Sequence, residues 1–181
     1  MKIFSTTLIA LLIIGLHACS DQEDISAQNR SEIETVTSTI QSTSKILEPQ
    51  GAIKSAVLDE LQQGRWELVM FWATYCPICK RDFEKLAKFI EDNPSINLTI
   101  VGVVTDGLEA KQKAISQIDS RNLNYTHMLT DFDRSNELYQ GITQSRLIGV
   151  PSQLLYNTKN ELAGFSRNAI DLDALEIVVY E

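Results

Sequence analysis

The sequence is poor in the residues that bind metal ions. Its 181 residues include three cysteines and two histidines, and only Cys76 and Cys79 have the C-x-x-C spacing. A zinc site needs about four ligands, and His127 is the sole histidine beyond the N-terminal segment. Haem attachment needs a histidine directly after the second cysteine, where Lys80 stands. These shortages argue against a zinc or haem site, although metal binding at the pair stays open as an alternative.

Positive charge is also scarce. The 16 Lys and Arg residues are outnumbered by 24 Asp and Glu, giving a net charge of −8. Nucleic-acid binding depends on basic residues that neutralise phosphates, so this composition argues against a nucleic-acid partner. The basic residues after the cysteine pair alternate with acidic ones, and we expect them on the solvated face of one helix: Lys80, Arg81, Asp82, Glu84, Lys85 and Lys88.

The apolar stretch at the N-terminus, Ile3 to Leu16, is shorter than the roughly 20 residues that a membrane-spanning helix needs. A charged start at Lys2, a short apolar core and a small residue near a cut site are typical of a secretory signal. The sequence Leu16-His17-Ala18-Cys19 resembles the bacterial lipobox, whose cysteine becomes the lipidated first residue of the mature protein. We predict a lipoprotein signal and lipidation cysteine at residues 1–19. An ordinary signal peptide cut near Ala18 and an uncleaved anchor are the alternatives.

The number of cysteines agrees with this interpretation. Three cysteines in an exported protein leave one unpaired, whereas lipid on Cys19 leaves Cys76 and Cys79 as a self-contained pair. Export places that pair in an oxidising compartment, where a disulfide persists. We therefore expect a membrane-anchored protein of the bacterial cell envelope, on the periplasmic side.

Residues 20–50 are rich in Ser, Thr, Gln and acidic residues and poor in apolar ones. Such a composition buries little surface, so we predict a polar spacer there. A weak helix from Glu32 to Ile40 is the alternative, because Ile33, Val36 and Ile40 fall on one helical face. The remaining residues, 51–181, are enough for one domain with one core.

The cysteine pair lies where an apolar run, Leu68–Ala73, gives way to a helical pattern. Cys76 would then begin a helix, where free backbone N–H groups and the helix dipole lower the pKa of a thiol. Cys79, one turn further on, is close enough to attack a mixed disulfide formed at Cys76. The arrangement suits dithiol–disulfide exchange. A structural disulfide is the alternative, although such bridges usually close longer loops.

The pattern of elements after the pair predicts an α/β fold. The run Leu68–Ala73 reads as a central strand, and residues 79–90 repeat apolar side chains at helical spacing up to Asn93-Pro94. Leu98–Val104 predicts a second buried strand, with Asp106 as the cap of the next helix. A short strand at 125–129, a helix capped by Asp133, a hairpin at 153–165 and a closing helix from Asp171 complete the pattern. Strand–helix–strand order implies parallel neighbours.

These elements and motifs together resemble the thioredoxin superfamily, specifically its exported TlpA/ResA-like branch, from about Trp66 onward. Phe71-Trp72-Ala73 matches the end of the family's strand, and Cys76 and Cys79 match its redox site. The resemblance implies a mixed central sheet with helices on both faces. It also implies that Pro151 is cis, so that the Val150 backbone is free to pair with a substrate beside Cys76. Trp72 and Tyr75 are expected beside the motif, either contacting substrate or packing in the core or rim.

Two positions depart from the family pattern. Classical thioredoxins carry a buried acid where Met70 stands, so a proton leaving Cys79 would go to water, to Glu67 or to a group that the sequence does not identify. Pro77 occupies the first position between the cysteines, as in glutaredoxins and some strong oxidases. TlpA-like reductases often have proline in the second position, so the redox direction stays open.

The resemblance implies a thiol–disulfide oxidoreductase without a bound cofactor or metal. Its expected partners are the thiols or disulfides of exported proteins and a redox partner in the membrane. One alternative is a thiol peroxidase, but peroxiredoxins place threonine three residues before the reactive cysteine, where Ala73 stands, and Thr74 is one residue out of register. The other is a copper-binding assembly factor of thioredoxin fold, which would use His127 with the cysteines.

Overall fold

Residues 45–180 are described by the computed structural model, and they form six strands and five helices. Two short 3-10 turns, Pro94–Ile96 and Leu108–Ala110, join them. In chain order the elements are β1 (Lys45–Leu47), α1 (Ile53–Glu60), β2 (Trp66–Trp72), α2 (Pro77–Asp92), β3 (Leu98–Val104), α3 (Lys111–Ser120), β4 (Thr126–Leu129), α4 (Phe132–Thr143), β5 (Ser152–Tyr156), β6 (Leu162–Ser166) and α5 (Leu172–Tyr180).

The strands form one mixed sheet in the order β1-β4-β3-β2-β5-β6. Strands β1 to β4 are mutually parallel where they pair, whereas β5 runs antiparallel to both β2 and β6. The predicted hairpin is therefore β5–β6, and the predicted parallel core is β2–β3–β4. The expectation of an α/β fold with a mixed sheet is confirmed.

Strand β2 is the centre of the sheet and is covered on both faces. Every residue of β2 after Trp66 is buried, as the continuous apolar run predicts. Leu68, Met70 and Trp72 pack into a core cluster with α2, α3 and α5, and Val69 and Phe71 pack into a second cluster with α1 and α4. Helices therefore lie on both faces of the sheet. The cysteine pair follows directly after the carboxyl end of β2.

The sheet begins before the predicted domain boundary at residue 51. Residues 45–47, assigned from composition to the polar spacer, form β1 and pair with β4. Ile46 packs against one core cluster and Leu47 against the other, so this short edge strand contributes a side chain to each face. The spacer assignment is wrong for these residues. Residues 1–44, including the weak-helix alternative at 32–40 and the predicted lipidation cysteine Cys19, lie outside the described residues.

Two predicted helix caps are placed differently. Asp106 does not cap a helix, because α3 begins only at Lys111, after the 3-10 turn, and the Asp106 carboxylate accepts hydrogen bonds from Thr74 instead. The cap of α4 is Asp131 and not Asp133, since the Asp131 carboxylate accepts the Arg134 N–H at 2.8 Å. The Asp106 carboxylate is bonded to a segment distant in sequence, whereas α4 offers two aspartates at its start and the earlier one forms the cap.

Within residues 45–180, no helix combines the length and the hydropathy that crossing a membrane would require.

Candidate active site

Cys76 begins helix α2, as the sequence predicts. It is the N-cap residue, and Pro77 occupies the first turn, where the missing proline N–H costs no helical hydrogen bond. The Cys79 N–H points at Cys76 Sγ at 3.1 Å, so this sulfur accepts one of the free N–H groups of the helix start. Cys76 and Cys79 form a disulfide with a Cα–Cα separation of 5.4 Å. The helix N-terminus would stabilise a thiolate at Cys76 once that bond opens.

The two cysteines differ in accessibility. Cys76 keeps 5% of its surface exposed and Cys79 keeps none. Their flanking residues Tyr75 and Ile78 are 66% and 41% exposed, so they form the rim through which a partner would approach. Of the two cysteines, only Cys76 keeps surface that an incoming sulfur could contact.

The loop before β5 completes this rim. The Val150–Pro151 bond is cis, as the resemblance implies, and the Val150 carbonyl oxygen lies 3.8 Å from Cys76 Sγ. Pro151 has no N–H to offer the sheet or the sulfur. The fold therefore brings Val150 and Pro151 beside Cys76, although the two segments are 74 residues apart in the chain.

Of the two aromatic residues expected beside the motif, only Tyr75 lies at the surface. Trp72 is 1% exposed and packs edge-to-face on Phe83, with 5.5 Å between ring centroids, and on His127, with 5.7 Å. The expectation that Trp72 contacts substrate is wrong, because its position on β2 directs its side chain into the core beneath α2.

Asp82 is the buried acid that the sequence did not identify. It was expected on the solvated face of α2, yet it is 1% exposed and accepts the Ile170 N–H at 3.0 Å. Burial raises the pKa of the Asp82 carboxyl above its usual value, and the Ile170 N–H and the charges of Lys85 and Arg81 offset only part of that rise. Asp82 follows Cys79 by three residues, so both lie on the inward face of α2. That i, i+3 spacing is the signal in the sequence that could have revealed it.

Glu67 does not take this role. Its side chain is on the same face of β2 as Val69 and Phe71, opposite to the face that α2 covers. Its Oε1 accepts bonds from the Arg65 Nε at 2.6 Å and the Gln62 N–H at 3.0 Å. Glu67 therefore lies at the end of β2 away from the cysteine pair and on the face that α2 does not cover. It is not placed to accept a proton from Cys79.

Thr74 is committed to structural hydrogen bonds. Its hydroxyl donates to Asp106 at 2.5 Å and its N–H donates to the same carboxylate at 2.8 Å. The side chain is also buried. The thiol peroxidase alternative would need a hydroxyl free to bind peroxide near Cys76, and Thr74 does not offer one.

His127 is a core residue. It is fully buried among aromatic rings, and burial lowers the pKa of its imidazole from the usual 6.5 to about 4. It packs against Gly102, where an added Cβ would fall 2.1 Å from its Nδ1. Among residues 45–180, no three His, Cys, Asp or Glu side chains converge as a metal site would require. The copper alternative, which needs His127 beside the cysteines, gains no support from this arrangement.

The sequence profile of the AhpC/TSA family matches residues 41–165. A curated relative, the sporulation thiol-disulfide oxidoreductase A of Bacillus subtilis, is 26% identical over 101 residues. That alignment covers 55% of this chain and 58% of the relative, so the chain spans somewhat more than half of the relative's length.

Solved structures show the same fold. A thioredoxin-family thiol:disulfide interchange protein from Chlorobium tepidum superposes with a TM-score of 0.55 at 17% identity, covering 70% of this chain and 82% of its own. The thioredoxin domain of a thiol-disulfide oxidoreductase from Bacteroides vulgatus gives 0.52 at 21% identity, covering 65% and 81%. At these identities the likeness establishes the thioredoxin-like fold.

Proposed function

Because the chain belongs to the AhpC/TSA family, we propose that it is an extracytoplasmic thiol–disulfide oxidoreductase that acts on exported proteins through Cys76 and Cys79. The observation that carries the proposal is the placement of Cys76 Sγ at the start of α2, 3.1 Å from the Cys79 N–H and 3.8 Å from the Val150 carbonyl. This geometry provides a stabilised sulfur, a resolving partner and an open approach.

Reduction of a substrate begins at Cys76. Its thiolate attacks one sulfur of a substrate disulfide, so that a Cys76–substrate S–S bond forms and the substrate S–S bond breaks. The leaving substrate sulfur departs as a thiolate and takes a proton from solvent. An extended substrate segment would lie against the Val150 backbone, whose carbonyl oxygen is 3.8 Å from Cys76 Sγ.

Cys79 resolves the mixed disulfide. It must lose its proton before attacking Cys76, and the neighbouring buried Asp82 carboxylate is the group we assign to receive that proton. Attack by Cys79 closes the Cys76–Cys79 bond and releases the second substrate sulfur, so two electrons pass from the pair to the substrate. A pKa raised by burial makes Asp82 a better proton acceptor than an exposed aspartate.

Oxidation of a substrate is the same sequence in reverse. In either direction, continued turnover requires a second thiol–disulfide partner that restores the pair, and we propose that this partner lies in the membrane. Cys19 would hold the protein there as a lipoprotein of the cell envelope, with the folded domain on the periplasmic side.

Disulfide exchange by single-cysteine variants tests the proposal. In the full chain carrying Cys19→Ser, we expect the intact pair to exchange with oxidised glutathione and with a protein disulfide. Cys76→Ser should abolish exchange, whereas Cys79→Ser should accumulate a mixed disulfide at Cys76, detectable by mass. Undiminished exchange by Cys76→Ser would refute the assignment.

A further inference from the structure

Thr74, two residues before Cys76, is held at each of its polar groups. Its N–H donates to the two carboxylate oxygens of Asp106 at 3.1 and 2.8 Å, and its hydroxyl donates to Oδ2 at 2.5 Å. Its carbonyl oxygen accepts the Gln117 side-chain amide at 3.0 Å. With 2% of its surface exposed, Thr74 depends on these partners and not on solvent.

These partners come from the unit formed by β3 and α3. Asp106 follows β3 and Gln117 lies on α3. The sheet pairing continues toward them, because the Thr105 N–H donates to the Trp72 carbonyl at 2.9 Å. The end of β2 and the first residues of the redox loop are thus fixed to a neighbouring part of the fold.

Fixing Thr74 also fixes Cys76. Only Tyr75 separates them, and the Cys76 N–H donates to the Ala73 carbonyl at 3.0 Å, which closes the turn between strand and helix. Hydrogen bonds to an ionised carboxylate are about twice as strong as neutral ones. Ordering of Cys76 raises the effective concentration of its sulfur relative to that of Cys79, and this favours bond formation between the two sulfurs.

We propose that Asp106 is a positioning residue for the redox pair: by holding Thr74 it keeps Cys76 within reach of Cys79 and so favours the closed disulfide over the open dithiol. This inference rests on the proposed function, since it concerns the same exchange reaction. We expect the Asp106 carboxylate to increase both the stability of the protein disulfide and the rate at which Cys79 resolves a mixed disulfide.

The equilibrium with glutathione measures the first effect. In this reaction the protein dithiol and one oxidised glutathione give the protein disulfide and two reduced glutathiones. In the full chain carrying Cys19→Ser, we expect Asp106→Asn to shift the equilibrium constant toward the dithiol by about tenfold, which corresponds to ~30 mV. Asp133→Asn is the matched control, because Asp133 lines the same cleft of about 620 Å³ as Asp106. It should leave the constant unchanged.

The rate of resolution separates positioning from charge. Removing a nearby negative charge would by itself ease the formation of a Cys79 thiolate, and resolution would be as fast or faster. Loss of positioning slows it, and we expect Asp106→Asn to release glutathione from Cys76 about tenfold more slowly. Thr74→Val, which lacks the hydroxyl donor, should show a smaller effect of the same sign. Thr74→Ser keeps both donors and should restore the wild-type behaviour.

The results discriminate between the two proposals. A wild-type pair that does not exchange with glutathione at all refutes the proposed function. A wild-type pair that exchanges normally, with Asp106→Asn matching it in both equilibrium and resolution rate, refutes the positioning role alone. Should Asp106→Asn fail to fold, the comparison of Thr74→Val with Thr74→Ser decides the matter, and equal constants for those two variants overturn the inference.

Discussion

His127 should make the stability of the domain fall in mild acid. In the folded protein its imidazole is buried against Trp72 and Phe83 and has a pKa of about 4, whereas in the unfolded chain it should titrate near 6.5. In the folded state His127 therefore binds a proton less readily than it does in the unfolded state. The stability associated with neutral His127 is complete above pH 6.5 and is lost as the pH falls from 6.5 to about 4.

The size of the effect follows from the two pKa values. At 1.36 kcal/mol per pKa unit, the difference between 6.5 and about 4 corresponds to about 3 kcal/mol of unfolding free energy. A domain with a stability of roughly 5–15 kcal/mol would lose a substantial part of it. Asp82 acts in the opposite sense, because a carboxyl whose pKa is raised on folding stabilises the protein at low pH and less as the pH rises.

Urea unfolding of wild type and His127→Gln, followed between pH 4 and pH 8, isolates the contribution of His127. The glutamine does not titrate, so the difference between the two stability curves should change by about 3 kcal/mol across this range. The contribution of Asp82 is common to both proteins and cancels in the difference. Two curves that stay parallel from pH 8 to pH 4 would show that His127 is not kept neutral by burial.

Four further results are expected. Asp82→Asn should slow the resolution of a mixed disulfide by about 100-fold at neutral pH, the scale expected for the loss of a general base. The same variant should be more stable than wild type by an amount that increases with pH, and an unchanged resolution rate would remove Asp82 from the mechanism. Gly102→Ala should destabilise the domain by about 2 kcal/mol because its Cβ would meet His127, and a neutral effect in urea unfolding would contradict that packing. Iodoacetamide should label Cys76 faster than Cys79 when the two single-cysteine variants are compared, and equal or faster labelling of Cys79 would overturn the assignment of roles. Cys19→Ser should release the protein from the membrane fraction or leave an unprocessed precursor, and mature variant protein that stays on the membrane would rule out the lipid anchor.

The sequence predicted the parts of the fold that depend on local pattern. The run Leu68–Ala73 could be assigned to the central strand because a strand buried on both faces needs apolar residues at every position. Cys76 could be placed at a helix start because a new apolar periodicity begins immediately after it. Pro151 could be assigned only through the family resemblance, since nothing local to a Val-Pro pair brings it beside a cysteine far away in the chain.

Three of the errors concern residues whose partners are distant in sequence. Asp82 resembles its charged neighbours in the sequence, yet it is buried and accepts the N–H of Ile170, 88 residues later in the chain. Asp106 has the position of a helix cap, but its partner Thr74 lies 32 residues earlier. β1 was missed because three residues at a sheet edge carry too little pattern to stand out from a polar segment. In each case a tertiary contact, not a local preference, decides the outcome.

The direction of β1 has a consequence for a tethered protein. β1 runs parallel to β4, and β4, β3 and β2 share that direction, so β1 points toward the end of the sheet that bears Cys76. The chain enters β1 at Lys45, which is level with Val69 at the middle of β2, and travels toward the redox end. A tether to Cys19 would therefore join the folded domain at the edge strand β1, with β4 and β3 between that edge and β2. The rim at Tyr75 and Ile78 follows β2, so those two strands would separate the redox end from the point of attachment.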